Sequence, residues 1–152
     1  MRRFSGFLAL VLATAFVFAG VEALAFGNMS KTKGGDGGKA ASFDKTPVEK
    51  AKGPDSYTVA EIYKKSAELD KKSVAVRGRV TKVSAGIMGK NWVHLQDGSG
   101  DPSSGTHDLV ATSQDLPSVG NVVTARGTLY KDKDFGSGYA YKAIVEEATL
   151  KP

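Results

Sequence analysis

The sequence predicts a mainly β fold, a five-stranded barrel preceded by one short helix, in residues 55–152. From Ser73 onward, five stretches alternate apolar and polar residues with a period of two, and clusters of Gly, Pro, Asp and Ser separate them. The glycine-centred phrase VRGRV in the first stretch has a counterpart, ARGTL, in the fourth. Because a lone antiparallel sheet of such strands would expose long edges, closure into a barrel is favoured.

The first 25 residues predict an export signal. Arg2 and Arg3 precede an apolar run of 13 residues at 7–19, and Ala23-Leu24-Ala25 has the small-x-small pattern of a cleavage site. The run is shorter than the roughly 18 residues that indicate a membrane-spanning helix. We therefore expect cleavage after Ala25, no stable membrane span afterwards, and a periplasmic or secreted protein. An uncleaved membrane anchor is the alternative interpretation.

Residues 26–54 predict a flexible linker that is rich in Gly and Lys. This segment has six lysines and three carboxylates, a net charge of +3, whereas residues 55–152 have thirteen basic and twelve acidic side chains, a net charge of +1. The predicted domain is close to neutral, so its overall charge gives little support to nucleic-acid binding.

The element before the first strand is predicted to be a short amphipathic helix over residues 59–67. Val59, Ile62 and Tyr63 have the spacing of one helical face. Thr58, with Glu61 three residues later, forms the pattern of a capping box, which predicts that the helix begins at this point.

The first strand is predicted over residues 73–83, where the sequence is SVAVRGRVTKV. Val74, Val76 and Val80 lie on one face, whereas Arg77 and Arg79 lie on the other, and the glycine between the arginines permits a sharp bend. The other four strands are predicted at residues 91–96, 107–113, 122–130 and 139–149.

The second strand, NWVHLQ, contains the only tryptophan and one of two histidines in the chain. Val93 and Leu95 share one face, so Trp92 and His94 lie on the opposite one. The indole has two interpretations. It either binds a ligand in a groove, or it packs at an open end of the barrel or under the N-terminal helix.

Three phrases, VRGRV (76–80), LQDGSG (95–100) and VGNVVTARG (119–127), together with a helix that begins Thr-Val-Ala, resemble the OB-fold. The resemblance is especially to the exported bacterial branch of that fold, and it covers about residues 55–150. The resemblance implies a ligand groove across strands two and three, between the loop that joins strands one and two and the loop that joins strands four and five. In this chain those loops correspond to residues 84–90 and 131–138.

A groove for single-stranded nucleic acid needs aromatic faces on which bases stack and cations that contact phosphates. The stacking candidates are Trp92, His94, Phe135 and Tyr141. The cationic candidates are Arg77, Arg79, Lys82, Lys90 and Lys133. Each candidate also has a structural interpretation: the arginines as a solvated strand face, His94 as a surface residue, and Tyr141 as a core residue that shares parity with Ala143 and Val145.

Two functions of different classes follow. The first is an exported, non-catalytic protein that binds single-stranded nucleic acid or a similar anionic ligand in the groove. The alternative is a periplasmic accessory module that binds a small ligand or a partner protein, with Trp92 in a recognition pocket. Burial of Trp92 would remove most of the support for the first function.

Other chemistry is disfavoured by the sequence. The chain has no cysteine, which excludes disulfides, thiol nucleophiles and covalent haem attachment. No nucleophile elbow, phosphate-binding loop or HExxH motif occurs, so we expect neither an enzyme nor a resident cofactor or metal. Residues 97–108 have acidic and hydroxyl side chains at the spacing of a calcium-binding EF-hand loop, but Pro102 stands where glycine is required. A polar turn is the favoured interpretation.

Overall fold

The computed structural model describes residues 43–152. The predicted export signal and the first part of the predicted linker, up to residue 42, lie outside the described residues. The elements are α1 (Val59–Lys64), α2 (Ser66–Leu69), β1 (Ser73–Ile87), β2 (Lys90–Gln96), β3 (Leu109–Ser113), β4 (Val122–Asp134) and β5 (Ala140–Lys151).

The five strands form one sheet in the order β1-β2-β3-β5-β4, and it closes on itself because β4 also pairs with β1. The pairing of β3 with β5 is parallel, and every other pairing is antiparallel. The spatial order β4-β1-β2-β3 is that of a Greek key. The mainly β prediction is therefore confirmed, with five strands in a closed sheet and two short helices.

The core lies inside the closed sheet, on the face that the sequence predicts. Val76 and Val80 of β1 and Val93 and Leu95 of β2 are fully or almost fully buried. They pack with inward residues of the other three strands, and Val59 and Ile62 of α1 belong to the same cluster.

The N-terminus of the predicted helix has the expected capping box. The Thr58 side chain accepts a hydrogen bond from the Glu61 amide, and the Glu61 side chain accepts one from the Thr58 amide. The predicted single helix over residues 59–67 is instead two short helices. They are separated at Lys65, whose backbone (φ −105°, ψ 12°) departs from helical geometry.

Two glycines allow strands to approach closely. A β-carbon on Gly78 would lie 3.1 Å from the Gln96 carbonyl oxygen, and one on Gly127 would lie 2.6 Å from the Glu146 carbonyl oxygen. These are the central glycines of the two phrases VRGRV and ARGTL. Their repetition in the sequence therefore reflects close packing of backbone in the sheet.

The two loops predicted to flank a groove are largely strand. β1 continues to Ile87, and a two-residue turn of Met88 and Gly89, both with positive φ as a type I′ turn requires, leads into β2. β4 continues to Asp134, so that a short turn leads into β5. The predicted loops were wrong in this respect, because polar and glycine residues can extend an antiparallel ladder when a partner strand lies beside them.

Within residues 43–152, no helix combines the length and the apolar character needed to cross a membrane.

Candidate ligand-binding site

Trp92 is buried outside the core of the closed sheet. Only 4% of the residue is exposed, and its buried neighbours are Val110 and Ile144 on the outer faces of β3 and β5. The indole Nε1 donates a hydrogen bond of 2.9 Å to the Ile87 carbonyl oxygen. The alternation in β2 correctly predicts that Trp92 faces away from the core, but burial at this position was not the expectation for an open groove.

Three aromatic rings from the β4–β5 hairpin cover the indole. The Trp92 ring lies 5.1 Å from Phe135, 5.6 Å from Tyr141 and 6.2 Å from Tyr139, measured between ring centroids. Contacts of this kind add roughly 0.5–1.5 kcal/mol per pair beyond the burial of apolar area. The hairpin therefore packs on the outer face of β2 as a second, aromatic cluster.

His94 is also buried, so its interpretation as a surface residue was wrong, and it forms a polar pair with Asp108. Its Nδ1 lies 2.5 Å from Asp108 Oδ2, and Asp108 Oδ1 accepts a hydrogen bond of 3.0 Å from Gln96 Nε2. The Tyr63 hydroxyl donates to the Asp108 backbone carbonyl at 2.6 Å, and burial raises the pKa of that hydroxyl above its ordinary value. Asp108 therefore links the imidazole ring of His94 to Tyr63 of helix α1.

A narrow slit lies between the β1–β2 hairpin and the β4–β5 hairpin. Its volume is about 20 Å³, which is space for about one water molecule. It is lined by Lys82, Ser84, Ile87, Trp92, His94, Tyr139 and Tyr141. Aromatic faces, one ammonium group and one oriented imidazole therefore meet at this position.

Lys90 and Lys133, two predicted phosphate contacts, share a carboxylate partner. Their ammonium groups lie 3.7 Å and 3.1 Å from the two carboxylate oxygens of Glu146, whose side chain is only 10% exposed. Lys133 also lies over the Tyr130 ring, at 4.7 Å from its centroid. Lys90 of β2 thereby contacts the β4–β5 hairpin, whereas Lys133 pairs with Glu146 within that hairpin. Much of the charge of both lysines is compensated.

Arg77 and Arg79 lie on a different part of β1, beneath residues 43–54. The Asp44 carboxylate forms an ion pair with Arg79 at 3.0 Å, and the Glu49 carbonyl oxygen accepts a bond of 3.4 Å from Arg77. Val48 joins the same segment to the Asp97 carbonyl through a backbone bond of 3.0 Å. This part of the predicted linker forms no helix or strand, and yet it packs on the closed sheet.

The nine predicted site residues thus fall into four groups. Four of them line the slit: Lys82, Trp92, His94 and Tyr141. Phe135 covers Trp92, and the two lysines of the hairpins are bound to Glu146. The two arginines lie under the 43–54 segment.

Sequence reasoning missed Asp108 and Glu146 as partners, and it did not include Tyr139 among the site candidates. Asp108 reaches His94 because β2 and β3 pair antiparallel, with Leu95 opposite Leu109. The pair could have been found from the sequence if the antiparallel register of β2 and β3 had been predicted correctly. The partnership of Glu146 with lysines on two hairpins has no comparable signal in the sequence.

The turn at residues 97–108 uses its polar side chains for hydrogen bonds within the fold. Asp97 Oδ2 accepts a bond of 2.9 Å from the Val59 amide at the start of α1, and its Oδ1 accepts from the Ser99 amide and hydroxyl. Among residues 43–152, no group of three or more His, Asp or Glu side chains is arranged to hold a metal ion.

Comparison of the chain with models of protein families and with curated proteins finds no match.

Proposed function

We propose that the protein is an exported, non-catalytic OB-fold module that binds a small aromatic ligand at the slit between its two long hairpins. The observation that carries the proposal is the composition of the slit: Trp92 and two tyrosines are grouped with an imidazole that Asp108 orients and with the ammonium group of Lys82. Pockets for small ligands generally combine apolar and aromatic walls with a few placed polar groups.

The strand arrangement supports the OB-fold part of the proposal. An OB-fold is a five-stranded Greek-key barrel, and this chain has five strands in a closed sheet with the Greek-key order. The position of the slit is also in agreement, because OB-folds bind ligands beside strands two and three, between the connections of strands one to two and four to five.

The slit must open before it can accept an aromatic ring, since its present volume holds about one water molecule. The turn of the β4–β5 hairpin is suited to this movement. Gly136, Ser137 and Gly138 all have left-handed φ angles, and nothing lies within 4 Å of a β-carbon built on either glycine. We infer that displacement of Phe135 and Tyr139 exposes the indole to a ligand.

Binding of single-stranded nucleic acid remains a prediction with weaker support. The Trp92 face is covered by hairpin rings, Arg79 is paired with Asp44, and two lysines share Glu146. Half-buried Phe135, Tyr139 and Tyr141 are aromatic side chains that such a ligand would still reach.

The experiment is an NMR titration of the chain without its predicted export signal, because a single tryptophan gives a single indole N–H resonance. The probes are 2-naphthoate, 2-naphthamide and an oligothymidylate. We expect saturable shifts of the Trp92 indole resonance with a naphthalene probe. Ser84→Leu, which fills the slit, should abolish these shifts, whereas Met88→Ala at the exposed hairpin turn should leave them unchanged.

A different result would redirect the proposal. If the oligonucleotide binds saturably with a strong dependence on salt, and neither naphthalene probe shifts the indole resonance, the small-ligand proposal is wrong and the nucleic-acid prediction gains support.

A further inference from the structure

We propose that the ligand of the slit is an aromatic anion, whose carboxylate binds between the Lys82 ammonium group and the Nε2 atom of His94. This inference rests on the proposed function and adds the chemical class of the ligand. Its first support is the register of β1 and β2, in which Lys82 pairs with His94 and Ser84 pairs with Trp92. The cationic and aromatic ends of the slit are therefore two residues apart along the strands, about 7 Å.

The charge of Lys82 distinguishes it from the other candidate cations of the hairpins. Lys90 and Lys133 are both paired with Glu146. Within residues 43–152, the half-buried Lys82 forms neither an ion pair nor a cation–π contact. A lysine whose charge is not compensated by a carboxylate attracts an anion more strongly than one that is already paired.

The orientation of His94 supplies a second donor. Asp108 holds Nδ1 of the ring, so Nε2, on the other edge, is directed away from that carboxylate. In the doubly protonated imidazole both nitrogens donate hydrogen bonds. An anion in the slit would therefore bind the ring in this form, with Nδ1–H donating to Asp108 and Nε2–H donating to the ligand.

The aromatic walls favour a planar ligand and do not repel its charge. Trp92, Tyr139 and Tyr141 offer ring faces and edges for a conjugated ring. Burial is the main cause that raises the pKa of the Tyr141 hydroxyl, with the Tyr139 hydroxyl as a second cause. The hydroxyl is therefore neutral at physiological pH and can donate a hydrogen bond to the carboxylate.

The test compares an anion with its neutral isostere. The probes are 2-naphthoate and 2-naphthamide, and the dissociation constant of each is measured from shifts of the Trp92 indole resonance. We expect the carboxylate to bind roughly tenfold more tightly than the amide, as one charge-assisted hydrogen bond implies. Lys82→Gln should reduce this difference without weakening the amide, because the other donors remain, and Lys142→Gln, an exposed neighbour of Tyr141 on β5, should preserve it.

The outcomes separate the inference from the proposed function. Equal binding of both probes at the indole would overturn the proposal that the slit binds a carboxylate. The proposed binding of a small aromatic ligand would not be affected. If the Lys82 and Lys142 variants lose the preference for the carboxylate equally, that preference arises from general surface charge. This result would also overturn the inference. Failure of both probes to shift the indole contradicts the proposed function and the inference together. His94→Gln, checked for folding by its amide spectrum, should weaken the carboxylate only.

Discussion

At the scale of single residues, Trp92 shows how one position can follow a local pattern and still have an unexpected environment. Its alternation with Val93 and Leu95 directs the indole away from the core. The outer face of a strand is usually solvated, but here Phe135 and Tyr141 cover it. The indole therefore contributes to stability as well as to the proposed site.

We predict that Trp92→Ala lowers the free energy of unfolding by about 3–5 kcal/mol, because it removes a buried indole and its ring contacts. Trp92→Phe should cost less, since it keeps an aromatic ring and loses the hydrogen bond to Ile87. Urea denaturation followed by far-UV circular dichroism measures both changes.

The matched control for Trp92 is Met88→Ala. Met88 is 57% exposed, so we expect its change to stay within about 0.5 kcal/mol. A Trp92→Ala protein as stable as this control would mean that the aromatic cluster is open in solution.

At the scale of elements, the 43–54 segment is attached to the closed sheet largely through polar contacts. Asp44 forms an ion pair with Arg79, and its amide donates a hydrogen bond to the Gln96 side-chain oxygen. Lys50 contacts Glu61 of α1 at 2.9 Å. Hydrogen bonds from Thr46 are the main cause that lowers the pKa of Asp44, with Arg79 adding to the effect. The amide of Thr58 is the main cause that lowers the pKa of Glu61, and Lys50 contributes next.

We predict that acid releases this segment before the closed sheet unfolds. Both carboxyl groups have folded pKa values below their ordinary values of 3.8 and 4.5. The part of each shift that couples the segment to the rest of the protein comes from Arg79 for Asp44 and from Lys50 for Glu61. This stabilising part is complete above the ordinary values and is lost as the pH falls through the lower, folded ones. Hydrogen exchange and chemical shifts of the Asp44 and Val48 amides, followed from pH 6 downward, measure the release.

The control for acid release is Asp44→Asn. It should weaken the contact with Arg79 already at neutral pH. Because asparagine does not titrate, the pH dependence that Asp44 contributes to the release of the segment should disappear. Amide signals of the segment that do not change until the core amides exchange would contradict the prediction and indicate one cooperative unit.

At the scale of the whole molecule, closure of the sheet depends on close approach of backbone at the two phrases that the sequence repeats. At Gly127, the pairing of β4 with β5 shifts register between Arg126 and Thr128. A β-carbon there would lie 2.6 Å from the Glu146 carbonyl oxygen and 2.9 Å from a Val145 methyl group. Neither neighbour can move freely, because one is backbone and the other belongs to the core.

We therefore predict that Gly127→Ala destabilises the protein by about 1–3 kcal/mol or more, as overpacking does in other cores. It should also shift the amide resonances of β5 near Glu146. Thermal unfolding and an amide correlation spectrum measure the two effects. Thr124→Ala, on the same strand at a half-buried position, is the control, and an equal effect of both variants would argue against a steric cause.

Much of the fold could be predicted from local patterns. The period of two identified all five strands, and most of the predicted strand ends lie within a few residues of the observed ones. Thr58 with Glu61 identified the start of α1. The extension of β4 to Asp134 could not be predicted, because the sequence there, KDKD, has no apolar alternation. It forms strand because β5 lies beside it.

The candidate site was predicted only in part. Periodicity grouped Trp92 and His94 on one face, and the resemblance to the OB-fold implied that the loops at residues 84–90 and 131–138 lie beside them. The pairing of His94 with Asp108, and of Lys90 with Glu146, joins residues 14 and 56 positions apart in the chain. No local pattern specifies such partners, since they depend on strand register and sheet closure.

The sequence by itself determined which strand residues face the core, where α1 begins and which stretches form the five strands. These properties follow from local periods and backbone preferences, which each short stretch carries independently. Only the tertiary structure decided that Trp92 is covered, that two lysines share Glu146 and that Lys82 has no carboxylate partner in the described chain. These properties depend on which distant groups closure of the sheet brings within contact distance, and the energy of a charge or a ring is set by those neighbours.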